Sequence, residues 1–407
     1  MKRDSKAIVV GAGPCGSFAA FNLAKTGAGV DVHEEHVEVG VPSHCAGHLS
    51  IKGLRDLGLY PLPAGIVENV FSGALFFSPN GRQFEVRFSS PVTCVVNRSL
   101  FDKHIARLAE AAGAQYITSS RVESLIVENR VAKGILIEKM RGNERKFADI
   151  VIDAEGVSSR LLRQFGLSSL DRGMVVNGVE AEVESVKDTF SDEVEVFLGG
   201  QYAPGFYAWL IPRNDGSAKV GLASRSGNLL EFLLRLIKKH PIASQQLKHA
   251  RMTKKAFHPI TLGGPIPRTF GNGFLAVGDV ASQVKPTTGG GIILGMNCAR
   301  IAAEVADEAF DSDDFSAKHL GLYGKRCDEF SGFDMTVMLR IRKMLNRLSD
   351  ERVDDLISFC SRFRIDEAFR NVDDLVLQAH GLLRAARSPR TFAVLAYFFL
   401  VYIFANP

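Results

Sequence analysis

The stretch AIVVGAGPCGSFAAFNLAKTGAGVDVHE, residues 7–34, decides the fold of this chain. Residues 7–10 are all apolar and predict a buried strand, which runs directly into a glycine-rich turn of the form GxGxxG. Residues 17–27 predict a helix that stops at a glycine, and residues 30–34 predict a second strand. This order is typical of a dinucleotide-binding unit with a parallel sheet, so the sequence predicts an α/β fold.

The glycines of the turn each have a physical reason. Gly11 permits the tight turn after the strand, Gly13 lets the main chain approach a pyrophosphate, and Gly16 allows the helix to pack closely on the strand. The N-terminus of the helix then attracts phosphate charge. Glu34 lies 23 positions after Gly11, where its carboxylate can accept hydrogen bonds from a ribose. A glycine-rich turn without a ligand is the alternative reading.

Composition argues against several classes of function. The chain has 407 residues, of which 46% are hydrophobic and 23% are charged, so it can bury a large core and form two or three structural units. Its net charge of +4 is small and no basic block alternates with aromatic residues, so we expect no nucleic-acid partner. Six cysteines occur without any CxxC pair, which predicts neither a metal site nor a disulfide framework and indicates a reducing compartment.

The two ends of the sequence bear on localisation. The first predicted strand begins at residue 7, so no secretory signal is expected and the protein is predicted to be cytoplasmic. Residues 392–405, FAVLAYFFLVYIFA, are fourteen uncharged residues preceded by Arg384, Arg387 and Arg390. Since roughly 20 apolar residues are needed to cross a bilayer, this tail predicts a buried or dimer-forming helix or, alternatively, a peripheral anchor on the inner face of the membrane.

A second glycine-rich segment decides between dinucleotides. Residues 274–277 predict a short strand followed by Gly278 and Asp279, and residues 289–291 are three consecutive glycines before a long helix of small residues. Such a segment offers main-chain N–H groups at a second helix start. Asp279 can bind a ribityl hydroxyl or orient the pyrophosphate, and the glycines leave space for a flat ring against the main chain.

With these two segments the chain resembles the flavoprotein superfamily built like p-hydroxybenzoate hydroxylase, which has a third signature between them. IVIDAEGVSSRLLR, residues 150–163, resembles that signature, with Asp153, Gly156 and Arg160 in their usual places and Glu155 in place of an aspartate. The resemblance implies bound FAD. NAD as the tightly held cofactor would leave the glycine–aspartate segment unexplained.

The motifs and the resemblance together name the expected FAD contacts. Arg98 is among them because it resembles the flavin-contacting arginine of the superfamily. No metal ligand is expected. The full set is Gly11, Gly13, Pro14, Cys15, Gly16, Glu34, Glu35, Cys45, Ala46, Gly47, Arg98, Val122, Asp153, Gly156, Gly278, Asp279, Pro286, Gly289, Gly290, Gly291 and Ile292.

Within the superfamily the chain most resembles the geranylgeranyl reductases, in particular the archaeal digeranylgeranylglycerophospholipid reductases. Two stretches carry this resemblance, PSHCAG at residues 42–47 and YAWLIPR at residues 207–213. Ala46 separates Cys45 from a glycine where the family has CG, and Ile211 replaces a phenylalanine. The resemblance implies FAD-dependent saturation of the C=C bonds of geranylgeranyl chains, in archaeal ether phospholipid precursors or in geranylgeranyl diphosphate.

The second of these stretches predicts a substrate surface. Tyr207 and Trp209 alternate along a predicted strand and therefore point to one face, with Ala208 and Leu210 on the other. Together with Pro212 they are expected to line a lipid channel, because aromatic residues with a polar tip suit an apolar cavity that places a polar end group. The alternative is that Trp209 only packs the core of the sheet.

The implied reaction gives Cys45 and His44 candidate catalytic roles. An isolated alkene has no carbonyl to stabilise a carbanion, so an acid must protonate one carbon while the other receives a hydride from reduced flavin. Cys45 is expected either to shape the surface over the flavin ring or to donate this proton, with His44 as a relay. Plain packing of the thiol is the third reading.

Other functions remain open. An aromatic or quinone monooxygenase shares the flavin scaffold, and reduction of a menaquinone isoprenoid tail is a close alternative within the reductase reading. A halogenase is disfavoured because no WxWxIP run occurs, and a non-enzymatic flavin-containing lipid binder is the remaining reading. No second GxGxxG follows a strand, so electrons are expected from an external donor, namely NAD(P)H, a reduced deazaflavin or a ferredoxin.

The domains are predicted to be interleaved. A Rossmann-like FAD-binding domain is expected to alternate along the chain with an antiparallel β-sheet substrate domain that roofs the flavin, and a helical C-terminal region follows. The predicted bounds are 1–70, 95–165 and 265–325 for the FAD-binding domain, 71–94 and 166–264 for the substrate domain, and 326–407 for the helical region.

Overall fold

The computed structural model describes residues 5–369 apart from positions 140, 141, 169, 188 and 190. Its strands are β1 (Lys6–Val10), β2 (Gly29–His33), β3 (His48–Ser50), β4 (Val67–Phe71), β5 (Gly73–Phe77), β6 (Gln83–Arg87), β7 (Thr93–Val96), β8 (Gln115–Ile117), β9 (Val122–Glu128), β10 (Val131–Ile137), β11 (Glu144–Phe147), β12 (Ile150–Asp153), β13 (Val175–Glu184), β14 (Glu193–Phe197), β15 (Ala208–Pro212), β16 (Ala218–Ser224), β17 (Arg251–Thr261), β18 (Phe270–Gly271) and β19 (Phe274–Ala276).

The described part of the chain also contains ten α-helices. They are α1 (Pro14–Ala24), α2 (Ile51–Asp56), α3 (Arg98–Ala112), α4 (Arg160–Gln164), α5 (Leu229–Lys239), α6 (Ala243–Gln246), α7 (Ile292–Ser312), α8 (Ala317–Leu345), α9 (Asp350–Arg362) and α10 (Asp366–Phe369). Among them, none combines the length and the apolar character that crossing a bilayer requires. The apolar tail predicted at 392–405 lies outside the described residues.

The chain forms two compact units, each assembled from three segments. The first unit takes the described residues up to Ser43, then Arg98–Gly173 and Thr261–Met335. The second unit takes His44–Asn97, Met174–Ile260 and the described residues from Thr336 onward. The sequence predicts that residues 1–70 belong to the FAD-binding domain. In the structure β3 and β4 both pair with β7, which lies in the second unit with them.

The first unit contains a six-stranded sheet in the order β18-β19-β12-β1-β2-β8. All neighbours run parallel except β18 and β19. Ala7, Ile8 and Val9 of β1 are fully buried, because a central parallel strand is covered on both faces. The Rossmann-like α/β class is therefore confirmed. A separate antiparallel sheet, β11-β10-β9, was not predicted.

The second unit contains a seven-stranded sheet in the order β17-β13-β16-β15-β14-β5-β6. The predicted hairpin around Asn80 and Gly81 joins β5 to β6, and the turn 214–216 joins β15 to β16, as predicted. One pair departs from the expected antiparallel sheet, since β14 runs parallel to β5. These two strands are far apart in sequence, so no local turn signal reports their pairing.

The two faces of this sheet bury different partners. On one face Leu210 and Leu222 are fully buried against Leu233 and Leu236 of α5. Burial of each such side chain stabilises the fold by about 1.5–3 kcal/mol. On the opposite face Ile211 packs in a cluster with residues of the small sheet β3-β7-β4. This second cluster fixes the chain that leads into β3, where the PSHCAG stretch lies.

Candidate functional site

The turn between β1 and α1 has the shape of a nucleotide cradle. Gly11 has a φ of +96°, and a Cβ there would lie 2.5 Å from the carbonyl oxygen of Ala154. A Cβ on Gly16 would lie 2.0 Å from the carbonyl oxygen of Gly11, so this close approach of helix and strand requires glycine. A Cβ on Gly13 would meet nothing within 4 Å. The turn is closed on the strand side and open above Gly13.

The rim of this cradle is formed by Glu34, directly after β2. Its Oε2 accepts a hydrogen bond from the N–H of Ala12 at 2.8 Å, and its Oε1 accepts one from the N–H of His36 at 3.0 Å. The neighbouring Glu35 is exposed and lies 3.9 Å from the guanidinium of Arg121. The structure thus brings Glu34, rather than Glu35, to the glycine turn. Helix α1 begins at Pro14 without a side-chain cap.

The Gly278–Asp279 turn is held by two residues that the sequence reasoning missed. Gly278 has a φ of +82°, and its N–H donates to Oε1 of Gln283 at 2.7 Å. Nε2 of Gln283 donates to the hydroxyl of Tyr323 at 2.7 Å, and that hydroxyl donates to the carbonyl of Ala276 at 2.9 Å. Tyr323 is fully buried on α8. Gln283 and Tyr323 therefore fix the main chain at Gly278 and at Ala276 just before it.

The three glycines lead into α7, which begins at Ile292 with Gly291 as N-cap and no side-chain cap. A Cβ on Gly291 would lie 2.9 Å from Oδ1 of Asp279. The loop before it is tight, since the N–H of Gly289 donates to the carbonyl of Lys285 at 2.8 Å. Pro286 is buried in this loop, four positions before Gly290.

Cys15 packs against the same turn. Its Sγ would lie 3.0 Å from a Cβ on Gly278 and 2.5 Å from one on Gly295, so the glycines make room for the thiol. Burial, and then the charge of Asp279, raises the pKa of Cys15. This thiol stays protonated and fills space between α1 and α7.

The middle signature forms a connected group at the end of β12. Asp153 is fully buried, and its Oδ1 accepts from the N–H of Glu155 at 3.1 Å. Its Oδ2 has no hydrogen-bond partner among the described residues. Burial, and then the charge of Glu155, raises the pKa of Asp153 well above its ordinary value. Glu155 itself accepts from the N–H of Leu161 at 2.6 Å, which explains why a longer acid suits this position. Gly156 starts the following turn.

Val122 and Arg98, two of the predicted FAD contacts, also bind other residues of the protein. Arg160 donates to the carbonyl oxygen of Val122, so the start of α4 is tied to β9. Arg98 begins α3 and binds both carboxylate oxygens of Asp102, at 3.1 and 2.9 Å. Burial raises the pKa of Asp102, and the charge of Arg98 opposes this. Asp102 was missed, although its i,i+4 spacing from Arg98 was a usable signal.

These features of the first unit fit FAD. A glycine turn that is open above Gly13 and two helix starts without side-chain caps offer main-chain N–H groups to a diphosphate. The carboxylate of Glu34 at the rim of the turn can accept hydrogen bonds from hydroxyl groups of the nucleotide. Among the residues that the structure describes, no group of three His, Cys, Asp or Glu side chains is arranged to hold a metal ion.

In the second unit the Cys45 turn is tightly bonded. Sγ of Cys45 accepts from the N–H of Gly47 at 3.5 Å, and the carbonyl of Gly47 accepts from the N–H of Val96 at 2.9 Å. His44 is exposed, and its ring stacks on that of His258 with centroids 5.7 Å apart. His258 was not predicted, because it comes from the distant strand β17.

Aromatic rings line up along the start of β15. Phe206 stacks on Tyr207 at 4.2 Å between centroids, and Tyr207 meets Trp209 edge-on at 6.0 Å. The guanidinium of Arg342, buried on α8, lies 4.7 Å from the Phe206 ring centroid. Burial raises the pKa of Tyr207 to about 12, while the charge of Arg342 opposes the shift and that of Cys45 adds to it. Tyr207 therefore remains a hydroxyl donor at neutral pH.

Trp209 is held by Glu180 of β13, which lies two strands away on the same face of the sheet. Its Nε1 donates to Oε2 of Glu180 at 3.0 Å, and a Cβ on Gly221 would lie 2.5 Å from the indole. Burial raises the pKa of Glu180 to about 7, against the opposing charge of Lys219. Pro212 ends β15, and its carbonyl accepts from Nδ2 of Asn69 at 3.1 Å.

Most of this charged support was not predicted. Glu180, Lys219 and Arg342 were not singled out. A lysine within the apolar strand AKVGLAS was the clearest available signal, because lysine is almost never fully buried without partners.

Comparison with known proteins identifies relatives over most of the chain. The model of the FAD binding domain family matches residues 4–305. A digeranylgeranylglycerophospholipid reductase 2 of Methanopyrus kandleri is 36% identical over 362 residues, which cover 87% of this chain and 90% of the relative. A digeranylgeranylglycerophospholipid reductase of Methanocaldococcus jannaschii is 33% identical, with 86% of this chain and 88% of the relative covered.

Solved structures agree with this match. A geranylgeranyl bacteriochlorophyll reductase-like protein from Thermoplasma acidophilum superposes with a TM-score of 0.85 at 27% identity, covering 97% of this chain and 99% of that one. A flavin-dependent brominase superposes with a TM-score of 0.71 at 18% identity, covering 96% and 97% of the two chains. This second likeness concerns the fold alone.

Proposed function

Because the chain belongs to the FAD binding domain family, and within it to the digeranylgeranylglycerophospholipid reductases, we propose that its substrate is the geranylgeranyl chain of an archaeal ether phospholipid precursor. The protein is an FAD-dependent oxidoreductase that saturates isoprenoid C=C bonds. The observation that carries the proposal is 36% identity to such a reductase over 87% of the chain, together with the glycine cradle.

The reaction assigns separate tasks to the cofactor and to the chain. Bound FAD, once reduced, supplies a hydride. The chain must supply a proton for the other alkene carbon and must exclude water, because an isolated alkene is activated only by protonation. We propose that Cys45 either shapes the site or donates this proton, and that His44 relays protons to it. The contact of Sγ with the N–H of Gly47 at 3.5 Å, which restrains the thiol within its own turn, supports a defined role.

The substrate surface is proposed to include Tyr207, Trp209 and Pro212. Tyr207 and Trp209 are half-buried and face away from the core of the large sheet, whereas Ala208 and Leu210 between and beside them are fully buried. Aromatic faces suit an apolar chain, and the hydroxyl of Tyr207 suits the polar end group of the lipid.

Anaerobic titration tests the proposed function. The holoprotein is reduced until its flavin absorbance bleaches, and a geranylgeranyl ether phospholipid is then added without oxygen. We expect the absorbance to return and mass spectrometry to find the lipid heavier by two hydrogens per reduced bond. The fully saturated phytanyl lipid is the control and should leave the flavin reduced. Reoxidation by a menaquinone but not by the lipid, or only by oxygen with an aromatic substrate, would contradict the proposal.

Substitution of Cys45 tests its chemical role. A general acid contributes about 10²–10⁴-fold to a rate, so Cys45→Ala should slow lipid-dependent reoxidation by at least about 100-fold if the thiol donates the proton. Cys360→Ala, which removes a thiol on α9, is the matched control and should react at the wild-type rate. An unchanged rate in Cys45→Ala would reject a chemical role for this thiol.

An external electron donor reduces the flavin, and we propose that it binds transiently. The sequence contains no second GxGxxG after a strand, which supports an encounter rather than a resident nicotinamide site. NADH, NADPH, reduced deazaflavin and reduced ferredoxin are each mixed anaerobically with the oxidised protein. The donor that bleaches the flavin fastest at matched concentration is assigned, and slow bleaching with every one of them would contradict a diffusing donor of these classes.

Peripheral contact with the membrane is also proposed. Arg340 and Lys343 are exposed and three positions apart on α8, and Arg347 is exposed just beyond its end. Such spacing places cations on one side of a helix, where anionic lipid headgroups attract them. The protein should sediment with vesicles that contain anionic lipid and not with neutral ones. Arg340→Glu with Lys343→Glu should reduce sedimentation, and binding that ignores both charge changes would contradict this contact.

A further inference from the structure

Lys219 on β16 is a buried cation that neither the motifs nor the proposed reaction explain. The residue is 5% exposed, in a strand where every other residue is also buried. Burying an ammonium group is costly unless it is paired and hydrogen-bonded. Its presence at this position therefore requires a structural reason from its partners.

Lys219 has a close ion-pair partner and two main-chain hydrogen-bond acceptors. Nζ lies 2.7 Å from Oε2 of Glu68, donates to the carbonyl of Ala46 at 3.0 Å, and donates to the carbonyl of Val96 at 3.1 Å. Glu68 is itself largely buried and offsets the charge. Two of the three contacts thus go to main chain, and one of those carbonyls belongs to the residue after Cys45.

The contact completes the bonding of the Cys45–Gly47 turn. Sγ of Cys45 accepts from Gly47, the carbonyl of Ala46 accepts from Lys219, and the carbonyl of Gly47 accepts from Val96. The carbonyl of Ala46 is the one that Lys219 binds, so each of the three residues of the turn takes part in a hydrogen bond.

Simple attachment of the small sheet does not need this lysine. Phe71 and Val95 of the small sheet already pack on Val194 and Ile211 of the large sheet, and this apolar cluster holds the two sheets together. Apolar contacts are non-directional, whereas an ammonium that donates to two carbonyls sets the direction of the main chain. The contact of Lys219 with the carbonyl of Ala46 acts directly on the geometry of the turn, and its contact with the carbonyl of Val96 acts on β7, which binds the turn through the N–H of Val96.

We propose that Lys219 is a positioning residue that fixes the Cys45–Gly47 turn and thereby sets the direction and accessibility of the Cys45 thiol during lipid reduction. The role in reduction rests on the proposed function, while the effect on the thiol does not. Glu68 supports Lys219 by balancing its charge.

Alkylation of Cys45 tests the effect on the thiol without any substrate. The holoprotein is treated with iodoacetamide, and peptide mass mapping follows modification of Cys45 with time. In Lys219→Met we expect alkylation to be about tenfold faster or more, since loss of buried charged hydrogen bonds frees the turn. Lys254→Met, which removes a lysine that is largely exposed on β17, is the matched control and should keep the wild-type rate. A folded, FAD-containing Lys219→Met protein with the wild-type alkylation rate would overturn the proposal.

Kinetics separate positioning from loss of stability. If Lys219 positions the thiol, Lys219→Met should lower kcat for lipid reduction while KM stays within about twofold, because the substrate surface itself is unchanged. Should Lys219→Met retain no FAD, Glu68→Gln replaces it, and unchanged alkylation in that variant overturns the proposal equally. If the wild-type protein reduces no geranylgeranyl lipid, the proposed function fails, and the alkylation rates still decide the role of Lys219.

Discussion

The nucleotide cradle of the first unit and the Cys45-bearing face of the second unit are built from different groups of the protein. The cradle consists mainly of main chain, with glycines where a Cβ would collide and helix starts that carry no side-chain cap. The Cys45 face consists of side chains, among them the buried Lys219, the half-buried Glu180 and a row of aromatic rings. The first arrangement depends on steric exclusion, and the second depends on charge and hydrogen bonding.

The largest effect is expected from Gly16→Ala in the cradle. The new Cβ would lie 2.0 Å from the carbonyl oxygen of Gly11, and neither partner is a flexible side chain. We expect a loss of about 3 kcal/mol or more in the free energy of unfolding, with little yellow protein recovered. Thermal unfolding and flavin absorbance measure this. A variant with wild-type FAD content would show that the main chain of the cradle can move to accommodate the new Cβ.

Gly13→Ala separates binding from folding at the same turn. A Cβ on Gly13 meets nothing within 4 Å, so the apoprotein should lose only about 0.5–1 kcal/mol from the poorer N-cap of α1. The methyl group would occupy the open space proposed for the pyrophosphate, so the Kd for FAD should rise about tenfold or more. A tenfold rise corresponds to the loss of little more than one hydrogen bond. Fluorescence titration of apoprotein measures the Kd. An unchanged Kd would place the pyrophosphate elsewhere.

Gly221→Ala tests whether the second region also contains a steric requirement. Its Cβ would lie 2.5 Å from the indole of Trp209, which must tilt and weaken its bond to Glu180. We expect lipid reduction to slow about tenfold, the Kd for FAD to stay unchanged, and the emission of Trp209 to shift to longer wavelength. Trp209 is the only tryptophan, so the emission reports this site alone. Loss of FAD binding instead would contradict a separate function for the two regions.

The smallest effect is expected from the ionisation of Glu180. Its pKa, raised mainly by burial to about 7, lies above the ordinary value of a glutamate. The folded state therefore binds this proton more tightly than the unfolded state, and stability falls as the pH rises through the range between the two pKa values. Trp209 emission should titrate near pH 7, and this transition should vanish in Glu180→Gln. Lys219, Glu182 and Glu68 also face this carboxyl, so the same titration in Glu182→Gln, which should retain the transition, is the control.

The cradle was largely predictable because its signals are local. The order of β1, α1 and β2, the place of Glu34 and the Gly278–Asp279 turn all follow from short stretches in which the main chain needs particular residues. The FAD cofactor and the reductase family were confirmed. The assigned roles of the individual residues stay predictions.

The side-chain supports were not predictable in the same way. Tyr323 reaches the loop residue Gln283 from helix α8, and Lys219 reaches Ala46 across more than a hundred residues of sequence. The parallel pairing of β14 with β5 has the same origin, since only the folded chain brings these partners together. Residue type alone marks such sites, as an isolated lysine in a buried strand does, but it does not name the partner.

The position of β19 at the side of β12 has a consequence for synthesis of the chain. Translation completes β12 at Asp153, whereas the strand that covers its free side begins at Phe274. At about 5–20 residues per second, roughly 6–24 s pass between the two events. During that time the nascent sheet presents an unpaired row of peptide groups to neighbouring ribosomes and chaperones, a hazard for aggregation. We expect chains stalled before Phe274 to be bound by chaperones and those stalled well beyond it to be released.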